Sequence, residues 1–473
     1  MNAIFVNPKQ KLTVFILMCL TVLAQAQSGK SEPETWRTVS VQLHPANLPR
    51  PSLKYVLLPE IDRQKLGNAA LAYSVIFGLT GNNTFADQIN RASEWNKLPL
   101  SEIPTRECKK LLSENQLVLE KLERAARYRD CNWQVEIRED GLNALLPHLS
   151  RMKGLSQLLV LKIRVAIAGK DPESAIASLK SGMAMAGHIA TDETLIGSLM
   201  ARSVAELLLE QVVHLIQLPN APNLYWALTD LPRPFFDVRR SLLWERDVLF
   251  MAVPELRGIE HLKYSNAQWK SLFRKILNSF SSDSHSEGDF LMTGKALLDY
   301  PPAKKRLEHS GLSRAEINQM PVIKVMLLAA MDNYLYHRDN LLRWSTVPYW
   351  QAWQRIEEST AQLDQSRQKF NGTLPFYDLL PAVTKTYFRF AILERRIDEL
   401  RILEALRLYA GSSGAGLPES LDQIKEVPIP LNPMTGELFI YERTGEGSVL
   451  KATLPTNHSR GPKDRVQYNI QIH

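Results

Sequence analysis

Apolar positions recur along most of this chain with the spacing of helices packed on one side. Residues 69–79 are apolar on most faces, which predicts a deeply packed helix. Thr84 to Lys97 is amphipathic. Lys109 to Asp130 reads as one helix with Leu111, Leu112, Val118, Leu119 and Leu122 as its stripe. The most regular stretch follows. Gly154 to Ala168 is a helix, Gly169-Lys170-Asp171-Pro172 is a turn with proline at a first helical position, and Glu173 to Ala186 is the next helix. Asp192 is expected to cap a longer helix, Glu193 to Leu218. Further helices are expected at 224–228, 238–250, 266–280, 291–298, 314–320, 321–342, 350–367 and 383–409.

Alternation with a period of two appears at the ends. Val39 to Leu43 reads as a short strand inside a proline-rich arm. Near the C-terminus, Glu437 to Arg443 alternates, Gly445 to Gly447 supplies a turn, Ser448 to Leu454 is the partner strand, and Val466 to Ile472 fits a last strand. The expected fold is therefore mainly α, a helical-hairpin bundle or an α-solenoid of tetratricopeptide-like pairs, with a small C-terminal β-hairpin module. The expected organisation is a signal peptide at 1–26, an extended arm at 27–67, a helical domain at 68–280, a second helical portion at 289–410, and a small module at 417–473.

The first 26 residues change the expected compartment. Lys9 and Lys11 precede the apolar run Leu12 to Leu23, and Ala24-Gln25-Ala26 is a small-x-small cleavage site, so the mature chain is expected to begin at Gln27 outside the cytoplasm. The rival reading is an uncleaved anchor, for which the run is short. Losing Lys9 and Lys11 lowers the formal charge from +7 to +5. That modest excess suits acidic surfaces such as wall polymers or anionic lipid heads, and no basic cluster carries the interleaved aromatics of a nucleic-acid groove. Cys108 and Cys131 flank the expected helix at 109–130, which at 1.5 Å per residue would hold them about 34 Å apart. A disulfide would need that helix broken, and free thiols are expected.

Leu218 to Leu228, with Leu231-Pro232-Arg233-Pro234, Leu57-Leu58-Pro59 and Gly67-Asn68-Ala69-Ala70, resembles uncharacterised exported helical proteins of planctomycete-type bacteria. The resemblance implies a compartment and no activity. The end of the chain, with a long helix to Tyr409, Leu417 to Leu421, Asn432-Pro433-Met434-Thr435-Gly436 and Tyr441, resembles the tail of type II secretion pseudopilins. Those proteins carry their long apolar helix at the N-terminus next to a processing site, whereas here hundreds of expected helical residues lie in between.

Candidate chemistry is sparse. The sequence has no Gly-x-Ser-x-Gly elbow, His-Glu-x-x-His pair, Walker A or dinucleotide loop. Glu206, Glu210 and His214 lie down one helix face at i, i+4, i+8, as metal ligands or as a polar face beside the core. The corner from Asn223 to Arg240 joins large rings to charge. Tyr225, Trp226, Asp230, Arg233, Arg239, Arg240 and, on the following helix, Glu245 form a candidate ligand-binding notch. Its alternative is that Tyr225, Trp226, Phe235 and Phe236 plug an interhelical gap while Asp–Arg pairs fasten the corner. A third group, Asp332, Tyr334, His337, Arg338 and Asp339 with Trp344, Tyr349, Trp350 and Trp353, reads as a stacking surface or as a core seam.

These features favour an exported, non-enzymatic binding or scaffold protein of the cell envelope. Its expected partner is another envelope protein, a peptide or an acidic polymer, with room for peripheral membrane contact. No cofactor and no nucleic acid are expected. The alternatives are a polymer-degrading hydrolase or lyase on a helical toroid, and a component of a secretion or envelope assembly whose partner meets the strand at Glu437 to Arg443.

Overall fold

A computed structural model describes residues 36–135, 146–280, 289–369, 376, 380–414, 416–445, 447–455 and 464–473. The expected signal peptide and most of the arm before residue 36 lie outside the described residues. The protein is mainly helical, with a small sheet built largely from C-terminal strands. It divides into two compact units. The first contains 36–135, 146–241 and 389–473, and the second is the insertion 242–388.

In the first unit, β1 (Arg37–Leu43) is followed by β2 (Lys65–Asn68), α1 (Ala69–Leu79), α2 (Asn83–Trp95), α3 (Thr105–Glu114), α4 (Gln116–Ala125) and β3 (Tyr128–Asp130). Then come α5 (Pro147–Ala168), α6 (Pro172–Ala190), α7 (Leu195–Leu215) and the short α8 (Tyr225–Thr229). Helices α5, α6 and α7 pack on one another, and α2, α3 and α4 lean on that trio. Its core holds Leu159, Leu161, Ile163, Leu179, Met183, Met185, Val212 and Leu215, none more than 1% exposed. The small residues sit where helices touch. A Cβ on Gly182 would meet Leu208 Cδ2 at 2.7 Å.

α9 (Arg239–Ala252) leads into the insertion, which continues with α10 (Asn266–Phe280), α11 (Asp289–His309), α12 (Arg314–Gln319), α13 (Val322–Leu342) and α14 (Tyr349–Lys369). α13 is its centre and packs against α10, α11 and α14. α12 starts from a capping box in which Ser313 and Glu316 satisfy each other's backbone N–H groups. α15 (Pro381–Ser413) returns the chain to the first unit, which ends with β4 (Ile440–Thr444), β5 (Gly447–Lys451) and β6 (Val466–Ile472).

The sheet order is β1-β6-β5-β4. The β4–β5 and β5–β6 pairs are antiparallel, whereas β1 runs parallel to β6 from Arg37 opposite Val466 to Leu43 opposite Ile472. The strand of the N-terminal arm thus completes a sheet whose other members lie at the far end of the chain. Leu43, Leu450 and Tyr468 are fully buried on its inner side.

Three local expectations are corrected. The helix expected over 109–130 is broken at Asn115, whose side chain donates to Leu111 O (2.9 Å) and to Gln88 Oε1 (3.1 Å), ending α3. The break still leaves Cys108 and Cys131 as free thiols. The cap of α7 is Thr194, whose hydroxyl accepts from Gly197 N at 2.9 Å, and not Asp192. The third concerns α1. A helix so apolar should be packed all round, yet only Ala69, Ala70, Tyr73 and Ile76 are buried. Leu71, Val75 and Leu79 on the outer side are 64%, 56% and 44% exposed.

Candidate functional site

The corner after α7 is built against α15. Asn223 opens it, its Oδ1 accepting from Tyr225 N (3.0 Å) and its amide donating to Glu404 Oε2 (2.6 Å) and Glu404 O (2.9 Å). Tyr225 is fully buried, and its hydroxyl donates to Pro428 O. Arg401 lies over the Tyr225 ring at 5.2 Å and donates to its hydroxyl, to Thr229 Oγ1 and to Asp398. Trp226 is half-buried and meets Tyr225 edge-on at 5.2 Å. Phe235 and Phe236 are buried together, their ring centroids 4.4 Å apart.

Of the corner's charges, Arg233 turns towards α15. Arg233 forms ion pairs with Glu394 (3.2 Å) and Asp398 (2.7 Å), and Glu394 also accepts from Phe235 N at 2.7 Å. Burial pushes the Glu394 carboxyl above its ordinary range, against the pull of Arg233. Arg239 closes on its neighbour Asp237, and Arg240 stands 3.6 Å from Glu193, both on the surface. Asp230 is exposed. Glu245 belongs to the insertion and its side chain lies outside the described ones. Tyr225, Phe235 and Phe236 therefore form core with Trp226 at its margin, and the three arginines reach four acids in three separate places instead of converging on an open cleft.

α15 carries the densest electrostatics of the first unit. Arg407 is fully buried. Its guanidinium donates to Glu404 Oε2 (2.9 Å) and to the carbonyls of His44 (3.0 Å), Ala221 (2.7 Å) and Pro222 (3.3 Å). It thereby ties the arm, the corner and the helix together. About three turns earlier, Arg395 pairs with buried Glu399 at 3.0 Å and donates to Asp464 O (2.7 Å), while Arg396 reaches Tyr468 Oη on β6 at 2.6 Å. Burial raises the Glu404 carboxyl, and Arg407 opposes the rise. Sequence periodicity missed this network. The one signal for it is that residues 394–407 leave no helix face free of charge.

The α7 stripe is answered by cations. Glu206 pairs with Arg202 on its own helix, and Glu210 pairs with Arg37 of β1 at 3.1 Å. Burial and nearby Arg164 lower the His214 pKa. No group of three or more His, Cys, Asp or Glu side chains that could hold a metal ion occurs among the described residues.

A second buried cluster was not legible at all. His188 Nε2 lies 2.8 Å from Tyr128 O, and a carbonyl can only accept, so Nε2 bears the proton. Nδ1 then accepts from Tyr73 Oη at 3.0 Å. Trp133 donates to His188 O (2.8 Å) and stacks on His148 at 4.5 Å, whose Nε2 meets buried Asp192 at 2.7 Å. Burial pushes the nearby Cys131 thiol up to about 12, which keeps it protonated and weakly nucleophilic. These contacts fasten β3 and α1 to α6.

In the insertion, Tyr334 and His337 are buried, Asp332 pairs with Arg306 at 2.6 Å, and Arg338 pairs with Asp339. Tyr349 is buried as well, whereas Trp350 is 45% exposed.

The first unit also leaves a row of large apolar side chains exposed. Leu71, Val75 and Leu79 follow one another at helical spacing down the outer side of α1, and Ile61 and Leu66 precede them at 89% and 85% exposure. No family model matches the chain, and searches of curated proteins and of solved structures found no significant match.

Proposed function

We propose that this chain is a non-enzymatic binding or scaffold protein exported to the cell envelope, and that it docks through the outer side of α1. The observation carrying this reading is the row Leu71, Val75, Leu79 left in solvent on a helix whose inner side is packed, with Ile61 and Leu66 exposed in the segment just before it. Contiguous exposed aliphatic surface of this kind marks interaction sites on folded proteins. The ion pairs of α15 support the scaffold part, since they join arm, corner and sheet to one helix. In this reading the α5–α6–α7 trio is a tetratricopeptide-like or bundle unit, and export follows from residues 1–26. A role in an envelope assembly is the second reading, favoured by the open edge of β4, beside which Leu438 is 62% exposed.

The test is fractionation of cells expressing the chain with and without Leu71→Gln/Val75→Gln. The mature protein is expected in the envelope fraction with Gln27 as its first residue, and the double variant is expected to leave that fraction while keeping its melting temperature. Cytosolic protein retaining residues 1–26, or a variant distributed like the wild type, would refute the proposal.

A further inference from the structure

We infer that the open side of α1 seats on an anionic lipid surface, a conclusion that rests on the docking reading above and names what is docked upon. α1 itself carries no charged residue. Cations stand at both of its ends. Arg63, Lys65 and Arg129 lie at the start, where β2 pairs with β3, and Arg151 donates to Phe77 O at the finish, 3.1 Å away. Beside these cations in the chain stand the exposed acids Asp62 and Asp130, two against four, which leaves the two ends of α1 with a positive excess. An apolar stripe framed by Lys and Arg is the chemistry of a helix lying in a bilayer interface, where side chains enter the headgroup–acyl boundary and cations meet lipid phosphates.

Relief decides between lipid and a folded partner. Ile61 and Leu66, at 89% and 85% exposure, project from the surface with almost nothing beside them. A rigid partner would need a separate pocket for each, whereas a fluid acyl boundary closes around any convex shape. Nor can the helix roll to hide the stripe. Its opposite side is held by Tyr73 and Ile76, both fully buried, and by the Tyr73–His188 hydrogen bond. A symmetric pair with α1 stacked antiparallel would bring the Arg63, Lys65 and Arg129 end of each copy against the Arg151 end of the other, and like charges so opposed repel. No helix among the described residues is long and apolar enough to cross a membrane, so this contact is peripheral.

The experiment is co-sedimentation of the mature full chain, residues 27–473, with vesicles of equal phosphatidylglycerol and phosphatidylcholine, and with phosphatidylcholine alone. Omitting residues 1–26 removes the other apolar segment that could bind lipid. Binding is expected to the anionic vesicles and to weaken with salt. Leu71→Gln/Val75→Gln should lower it about tenfold or more, and Arg129→Gln or Arg151→Gln about fivefold each. All four substitutions fall on exposed side chains, and Leu71→Ala/Val75→Ala provides a second, milder pair whose unfolding curve checks the fold. Wild-type protein that stays in the supernatant with both vesicle types overturns the inference, as does a double variant that binds like the wild type. If the wild type forms a dimer that Leu71→Gln/Val75→Gln dissolves, and no vesicle sediments it, the face belongs to a second copy. That outcome overturns the lipid assignment and leaves the docking reading standing. Loss of the docking reading itself shows separately, as unchanged envelope fractionation of the double variant.

Discussion

Replacing Arg407 by Met keeps most of the side chain's length and removes every donor it offers. Glu404, itself fully buried, then keeps the Asn223 amide and the Leu224 backbone N–H but no cation, and the carbonyls of His44, Ala221 and Pro222 lose their guanidinium partner. Breaking a buried ion pair from one side costs about 3–5 kcal/mol, because the remaining charge stays in a medium that solvates it poorly. The loss should depend on pH, and its sign follows from linkage. The Glu404 carboxyl already sits above its ordinary 4.5 through burial, and Arg407 restrains that rise. Without Arg407 it climbs further. Between 4.5 and the folded value the native state binds more protons than the unfolded chain, so stability falls as pH rises through that window. The deficit of Arg407→Met should therefore be larger at pH 8 than at pH 5. Adding Glu404→Gln should recover part of it, with a coupling of about 2 kcal/mol. Urea titration read by hydrogen exchange of the α15 amides confines the measurement to the first unit. A deficit under 1 kcal/mol at pH 8, or one equal at both pH values, would refute this account of the pair.

Three further outcomes follow from the packing. Burial lowers the His188 pKa below 6.5, so the unfolded chain takes up a proton there before the native one and stability falls as pH drops below 6.5. His188→Gln should flatten that slope by up to about 1.4 kcal/mol per pH unit in chemical unfolding between pH 7 and 5, and an unchanged slope counts against it. A Cβ on Gly411 would lie 2.5 Å from Ala46 O, so Gly411→Ala should push the arm off α15 and lower stability by about 1–3 kcal/mol, seen as faster exchange of β1 amides; unchanged exchange would disprove the close approach. Two thiols, Cys108 and Cys131, should react with a disulfide reagent quickly in denaturant and slowly in native buffer, since burial raises both; two fast native thiols would contradict their placement.

Local signals in the sequence located most helices. Asp171-Pro172 and Gly169 punctuate α5 and α6 as expected, because a cap and a first-turn proline act on their own neighbours. The turn at Gly445 likewise gives the β4–β5 hairpin. Features set by distant partners were not readable. The break at Asn115 depends on Gln88, and the pairing of β1 with β6 spans nearly the whole chain. The corner at 223–240 was undecided between core and site because aromatics beside arginines suit both. Glu394 and Asp398, over 150 residues away, draw Arg233 inward. Hydrophobicity all round α1 implied burial, and composition alone has no term for a missing neighbour.

The parallel register of β1 on β6 bears on how the chain reaches its native state. The first strand among the described residues has as its neighbour the last, the seven-residue strand at 466–472. Until those residues arrive, the arm has nothing to pair with, and the sheet cannot close over α15. Such end-to-end closure delays completion of the sheet until residues 466–472 have been made, so the two ends of the first unit are joined only at the last step of its folding.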